Sequence, residues 1–310
     1  MSGENSSLRS LQAQQRLLVR CLFEYVLDEA GRLARARDGD LVRGVVHIAI
    51  VQATRAPDSA EPDGPGAPLR GVSVRAIGQS LGLPYETTRR KVVELEHADL
   101  CRRVSASGVV AAPTVRDQAW LDACDASWRS LRVAIVGLTA VGFDYQMLDG
   151  VSAQSSPPRG LPLAEAAASL SQAFLLRVLE SAVAPHGSII DAAIITAMLT
   201  ANADSMARDP EMARKYAGAS TPPPDSLRRP ATITEIAARL GMTRETVRRR
   251  VNRYIKLGWA VRVTGGYLFS MERQQEPEVL QTGLASAHRF LQLLQSVRQM
   301  GVDLTSLGAA

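Results

Sequence analysis

Cysteine is scarce, with three residues in a chain of 310. Cys21, Cys101 and Cys124 are scattered and odd in number, which argues against a disulfide framework and fits a reducing compartment. The histidines His47, His97, His186 and His288 form no metal-ligand spacing with them, so neither a metal nor another cofactor is expected. Aromatic residues make up only 5% of the chain, so the core must be built from Leu, Val, Ile and Ala. The longest uncharged apolar run, Val133–Phe143, falls well short of the roughly 20 residues of a membrane-spanning helix. The N-terminal stretch MSGENSSLRS has no basic region leading into an apolar one, so a secretory leader is not expected and the location expected is cytoplasmic, at the nucleoid. There is no phosphate-binding glycine loop, no nucleophile elbow and no paired carboxylates in a plausible cleft. An enzyme is therefore not expected, and no catalytic residues are proposed.

What is present is ordinary globular composition, 46% hydrophobic and 22% charged, at a length suggesting two domains. An internal repeat sharpens that division. Residues 73–104 (SVRAIGQSLGLPYETTRRKVVELEHADLCRRV) align without a gap onto residues 232–263 (TITEIAARLGMTRETVRRRVNRYIKLGWAVRV), 159 positions later. Identities include Ile77/Ile236, Gly82/Gly241, Glu86/Glu245, Thr87/Thr246, Arg89/Arg248, Arg90/Arg249 and Arg103/Arg262. Weaker matches extend upstream and downstream. The expected units are residues 8–147 and 161–305, joined by a Ser-, Pro- and Gly-rich linker at 148–160.

Within each unit the central stretch is the informative one. Thr232 with Glu235 three positions on is a capping box, Ile233, Ile236, Ala237 and Leu240 form an apolar face, and Gly241 is placed to end the helix. Thr243 then caps a second helix whose inner face is Val247, Val251 and Tyr254. Two short helices around a Gly-containing turn are a helix-turn-helix pattern, expected at 73–97 and 232–256. Strand-like residues follow at 259–264, then Gly265-Gly266 as a two-residue turn, then a return strand at 267–270. The first unit repeats this at 100–112, with a turn near Ala106-Ser107-Gly108. Amphipathic helices are expected on the flanks, at 11–36, 120–141, 161–184 and 284–300.

LGMTRETVRRRV and the hairpin after it resemble the winged-helix DNA-binding domain of bacterial regulators, notably the catabolite-activator (Crp/Fnr) and MarR-like families. The resemblance covers about 40 residues of each copy, and the run Arg244–Val247 is its most specific part. It implies a mainly α fold with small β-hairpin wings: tandem winged-helix domains formed by internal duplication, with flanking helices. It does not extend to a cyclic-nucleotide domain.

Charge follows the motif. The net charge of +5 is concentrated: residues 228–262 carry ten basic and two acidic side chains, and residues 70–103 carry seven and four. A basic patch of this kind is the footprint of phosphate binding. By resemblance, Arg244, Glu245 and Arg249 are base-contact candidates, matched in the first copy by Tyr85, Glu86 and Arg90. Thr243, Thr246 and Arg248, with Thr87 and Arg89, are phosphate candidates. A Pro-rich insertion precedes each helix-turn-helix, at 56–71 and roughly 204–229, reading as irregular or disordered. Each ends in basic residues, Arg70 and Arg228-Arg229, which are further phosphate candidates. Arg250 and Lys91 lie nearer the inner face and are expected to lay their stems on the core edge.

The expected function is a sequence-specific transcriptional regulator presenting two recognition helices from one chain to a bipartite double-stranded DNA site. RNA polymerase or another regulator is a candidate protein partner, and the flanking helices are candidates for homodimerisation. Two other readings stay open. One is a plasmid-type replication initiator. The other is a tandem winged-helix interaction subunit of a chromosome-organising complex.

Overall fold

The computed structural model describes residues 2–54, 71–105, 108–113, 116–154, 160–207, 209–218 and 221–308. It is mainly helical, with two small antiparallel sheets. The first half runs α1 (Ser2–Arg35), α2 (Leu41–Thr54), β1 (Val72–Ser73), α3 (Val74–Ser80), α4 (Tyr85–Glu96), β2 (Cys101–Arg103), β3 (Gly108–Ala111) and α5 (Gln118–Ala140). The second runs α6 (Leu163–His186), α7 (Ile189–Ala207), α8 (Pro210–Lys215), α9 (Ile233–Leu240), α10 (Arg244–Lys256), β4 (Ala260–Val263), β5 (Gly266–Phe269), α11 (Met271–Gln275) and α12 (Pro277–Gln299). Val74 and Ile233, Tyr85 and Arg244, Gln118 and Pro277, and Ala140 and Gln299 are each 159 positions apart. The repeat in the sequence is thus a repeat of element boundaries.

The sheets are equally matched. β3 pairs antiparallel with β1 and β2, in the order β1-β3-β2. β4 and β5 pair through Ala260↔Phe269 to Val263↔Gly266, and Ala231 bridges to Tyr267 at the place of β1. The turn at Ala106-Ser107 lies outside the described residues.

Helix α1 of the first half packs against α5 and α12, and α6 of the second half packs against the same two helices. The rings of Tyr25, Phe174 and Phe290, from α1, α6 and α12, meet with centroids 5.7 to 6.0 Å apart. All three are essentially inaccessible to solvent. The buried apolar cluster runs without interruption from Leu18 to Leu304, so the two repeats share one core. Helix α7 contains an 18-residue window apolar enough to cross a membrane. Here it packs against α1, α6, α9 and β5, and buries Asp191 and Asn202 in bonded positions.

The turn within each helix pair is docked on the opposite half. Gly82 and Gly241 both adopt left-handed backbone, at φ +61° and +64°, which a Cβ would strain. A Cβ on Gly82 would also strike Val183 of α6, and one on Gly241 would come within 3.1 Å of the Arg35 side chain of α1. Ser80 bonds Glu180 of α6, while Arg239, the residue matching Ser80, pairs with Asp28 of α1 at 3.0 Å. Helices α1 and α9 are accordingly in direct contact.

Within the expected linker, Gln154 donates its N–H to the Gln292 carbonyl and the Ser296 hydroxyl, fastening it to α12, and residues 155–159 lie outside the described set. One expectation needs correction. The second insertion is not irregular throughout. Asp209 caps α8, accepting from the amides of Glu211 and Met212, with Pro210 in the first turn where its missing N–H costs nothing. Most of the first insertion, including Arg70, lies outside the described residues.

Because the aromatic contact joins both halves, Phe174→Ala should cost about 3–5 kcal/mol. It should lower the midpoint of a single denaturation transition. Separate transitions for the two halves, monitored by circular dichroism in urea, would contradict a shared core.

Candidate nucleic-acid interface

Helix α10 starts where the sequence places it. The Thr243 hydroxyl accepts from the Thr246 amide at 3.2 Å, and its oxygen lies 2.8 Å from the Thr246 hydroxyl. Upstream, Thr232 caps α9 by accepting from the Glu235 amide. The capping box is only half made, because the Glu235 carboxylate turns away to Arg229. In the first half Ser73 caps α3 through the Ala76 amide, whereas Pro84 at the head of α4 makes no side-chain cap.

The inner faces match expectation. Val247, Val251 and Tyr254 are buried, as are Thr88, Val92 and Leu95 of α4. The opposite faces present the candidate residues. Arg244, Glu245, Arg248 and Arg249 are exposed on the first turns of α10, and Tyr85, Glu86, Arg89 and Arg90 are exposed on α4. Tyr85 is 57% exposed. Thr87 and Thr246 are half-buried.

Within each face a carboxylate and a guanidinium engage each other. Arg248 donates Nε and Nη2 to the two Glu245 oxygens at 2.8 and 2.7 Å, and Arg89 grips Glu86 in the same bidentate way. The hydrogen bonds from Arg248 hold the Glu245 carboxyl below its ordinary range, and Arg89 does the same to Glu86. Glu245 and Arg248 were expected to act separately, one on a base and one on phosphate. In the free chain they form one unit. Arg244 and Arg249 are exposed and make no side-chain hydrogen bond or ion pair within the described residues, which leaves their guanidinium donors available.

The opposite side of α10 is anchored by a buried carboxylate. Asp191, fully buried at the start of α7, accepts from the Tyr254 hydroxyl at 2.6 Å, from Arg250 at 2.7 Å and from Ser188 at 2.6 Å. Arg253 lies at 3.5 Å. Burial and the neighbouring Asp191 charge push the Tyr254 phenol far above its ordinary range, keeping it a neutral donor. Arg250 therefore does more than lay its stem on the core. Its counterpart Lys91 likewise reaches Asp40 at 2.5 Å and Glu94 at 2.8 Å. Each half thus ties its exposed helix to the start of its second long helix by an ion pair.

Arg228 is the clearest correction. Its side chain is 3% exposed and donates to Asp225, to the Phe269 carbonyl and to Asn202, so its guanidinium is consumed in holding β5. It cannot reach a phosphate from that position. Arg229 is partly exposed but engaged by Asp204 and Glu235. The hairpins add arginines of their own to the exposed surface. Arg262 on β4 and Arg102 and Arg103 on β2 are exposed, with Arg103 paired to Glu96 at 3.0 Å. The signal was already visible as the identity Arg103/Arg262 in the repeat.

Among the described residues no group of three His, Cys, Asp or Glu is placed to hold a metal ion. Cys21 and Cys101 are buried thiols pushed up to about 11 by desolvation. Trp259 stacks on Tyr254 and carries Arg273 over its ring at 4.6 Å, so it is a packing residue. Compared with protein-family models, curated proteins and solved structures, the chain gives no match.

Tyr254→Phe keeps the packing but takes one donor from a buried carboxylate. It should cost about 1.5–3 kcal/mol, the worth of a hydrogen bond to a charged group. Urea denaturation measures this, and an unchanged midpoint would mean that the hydroxyl is not needed to hold α10.

Proposed function

We propose that the chain is a sequence-specific, double-stranded DNA-binding regulator of transcription, built from two winged helix-turn-helix units and acting in the cytoplasm at the nucleoid. The carrying observation is that the same short helix, glycine turn, second helix and hairpin occurs twice, with exposed arginines at matching positions of α4 and α10. A helix with a cluster of outward guanidiniums beside a basic hairpin has the chemistry to enter a major groove while the hairpin follows the backbone.

Free guanidiniums suit base edges, since Arg reads guanine O6 and N7 by two parallel hydrogen bonds. Arg244 and Arg249 are the best placed for this in the second unit; in the first, Tyr85 replaces Arg244 and the matching Arg90 lies 3.9 Å from Glu94, so it would have to leave that carboxylate to read a base. The Glu245–Arg248 and Glu86–Arg89 pairs would present a guanidinium whose remaining donors meet phosphate. Arg262 and Arg102 extend the phosphate surface along the hairpins, and Arg228 has no part in it. Tyr85 against Arg244 gives the two units different base preferences, so an asymmetric bipartite site is expected.

Fluorescence anisotropy on a selected duplex, across a salt series, tests the reading. Neutralising about 6–8 phosphates should give a log–log slope of about −5 to −7. Arg249→Ala should cost roughly 1–3 kcal/mol and relax preference at one base position, whereas Arg248→Ala should weaken all sequences alike. Salt-independent or absent DNA binding would instead favour a protein-interaction role.

A further inference from the structure

A cavity of about 150 Å³ opens between α1, α7, α8 and α11, away from the exposed faces of α4 and α10. Its walls are mostly apolar and adaptable: Phe23, Leu199, Met206, Met212, Tyr216 and Met271 contribute. That volume accommodates one six-membered ring or a chain of about six carbons. The polar groups lining it are Arg20, Arg228, Asn202, Gln274 and Thr200, with no carboxylate among the lining residues. Arg228 is already paired with Asp225 behind the wall, at 2.7 Å, so the guanidinium left to favour an anion in this apolar recess is that of Arg20. Arg20 adds an independent sign, because its Nε is buried and makes no hydrogen bond, with the nearest carboxylate oxygen, from Glu24, at 3.9 Å.

The polar wall is also the attachment of the second hairpin. Asn202 accepts from the Phe269 amide at 2.9 Å and donates to the Tyr267 carbonyl at 3.1 Å. Arg228 donates to the Phe269 carbonyl at 2.5 Å, and Gln274 reaches the same oxygen at 3.3 Å. A carboxylate entering the recess would compete with that carbonyl for Arg228. A ligand that reaches this wall would therefore act on the backbone of β5.

From this geometry we infer that the recess is a binding site for a small apolar carboxylate, and that its occupancy shifts the β4–β5 hairpin. The site itself stands apart from the DNA-binding reading. Only its effect on DNA affinity rests on that reading. Such an effect requires that the ligand bind the two hairpin positions unequally.

Isothermal titration of the full chain with benzoate and with hexanoate tests the site, with benzyl alcohol and hexanol as uncharged counterparts. The carboxylates should bind with a Kd of about 1 mM or tighter, in keeping with molecules of this size. The alcohols should bind at least about tenfold more weakly, as expected for loss of a charge-assisted hydrogen bond. Arg20→Met should weaken carboxylate binding by a similar factor, and Ala203→Leu, which fills the recess from α7, should abolish it. Should Ala203→Leu fail to fold, Arg20→Met alone decides. No binding at about 10 mM, or equal binding in both variants, overturns the site, and alcohols binding as tightly as acids overturns its anionic character. Anisotropy with DNA forms a separate arm. A several-fold change in DNA affinity on adding carboxylate, lost in Arg20→Met, supports the coupling. Carboxylate binding with unchanged DNA affinity overturns the coupling and leaves the site intact, and a chain that binds carboxylate but no DNA contradicts only the proposed function.

Discussion

Each half of the chain rests the turn of its helix pair on the first long helix of the other half. Gly82 meets Val183, and Gly241 meets Arg35, both at left-handed backbone that glycine alone adopts without strain. Ser80–Glu180 and Arg239–Asp28 fasten the same two places. Because the contacts are reciprocal, neither turn can shift without disturbing the helix that carries the other half. Everything exposed on α4 and α10 inherits its placement from this arrangement.

The shared core makes the arrangement stiff. Tyr25, Phe174 and Phe290 bring α1, α6 and α12 together at one point, in a chain with few aromatic residues to spend elsewhere. From that core, two ion pairs reach outward to the exposed helices: Asp191 to Arg250 and Asp40 to Lys91. A carboxylate held wholly inside is tolerable only when its oxygens are bonded, and Asp191 has Tyr254, Arg250 and Ser188 for that purpose. The interior thus fixes the exposed faces of α4 and α10 relative to one another.

Much of this was legible in the residues alone. The offset of 159 between Ser73 and Thr232 carries through to both ends of α5 and α12, and the caps Ser73, Thr232 and Thr243 act as their residue types suggest. Local signals of that kind depend on neighbours three or four positions away. Signals carried by distant partners were not visible. Arg228 looks like one more basic residue in a basic stretch until Phe269 and Asn202 enclose it. Arg250 looks like a snorkelling side chain until Asp191, far back in the chain, meets it. Gly82 and Gly241 read as helix terminators, which they are, and nothing local shows that each also faces the other half. The pairing of Glu245 with Arg248 lay within reach, since residues three apart on a helix are neighbours.

Footprinting the chain on its selected duplex, with stoichiometry measured in the same samples, tests the central claim most directly. One chain should protect two unlike half-sites on one face of the duplex, about one helical turn or a whole multiple of it apart. Changing the spacing by half a turn should lose most of the affinity. Protection of a single half-site by one chain, or tolerance of any spacing, would contradict two recognition helices fixed by a common core.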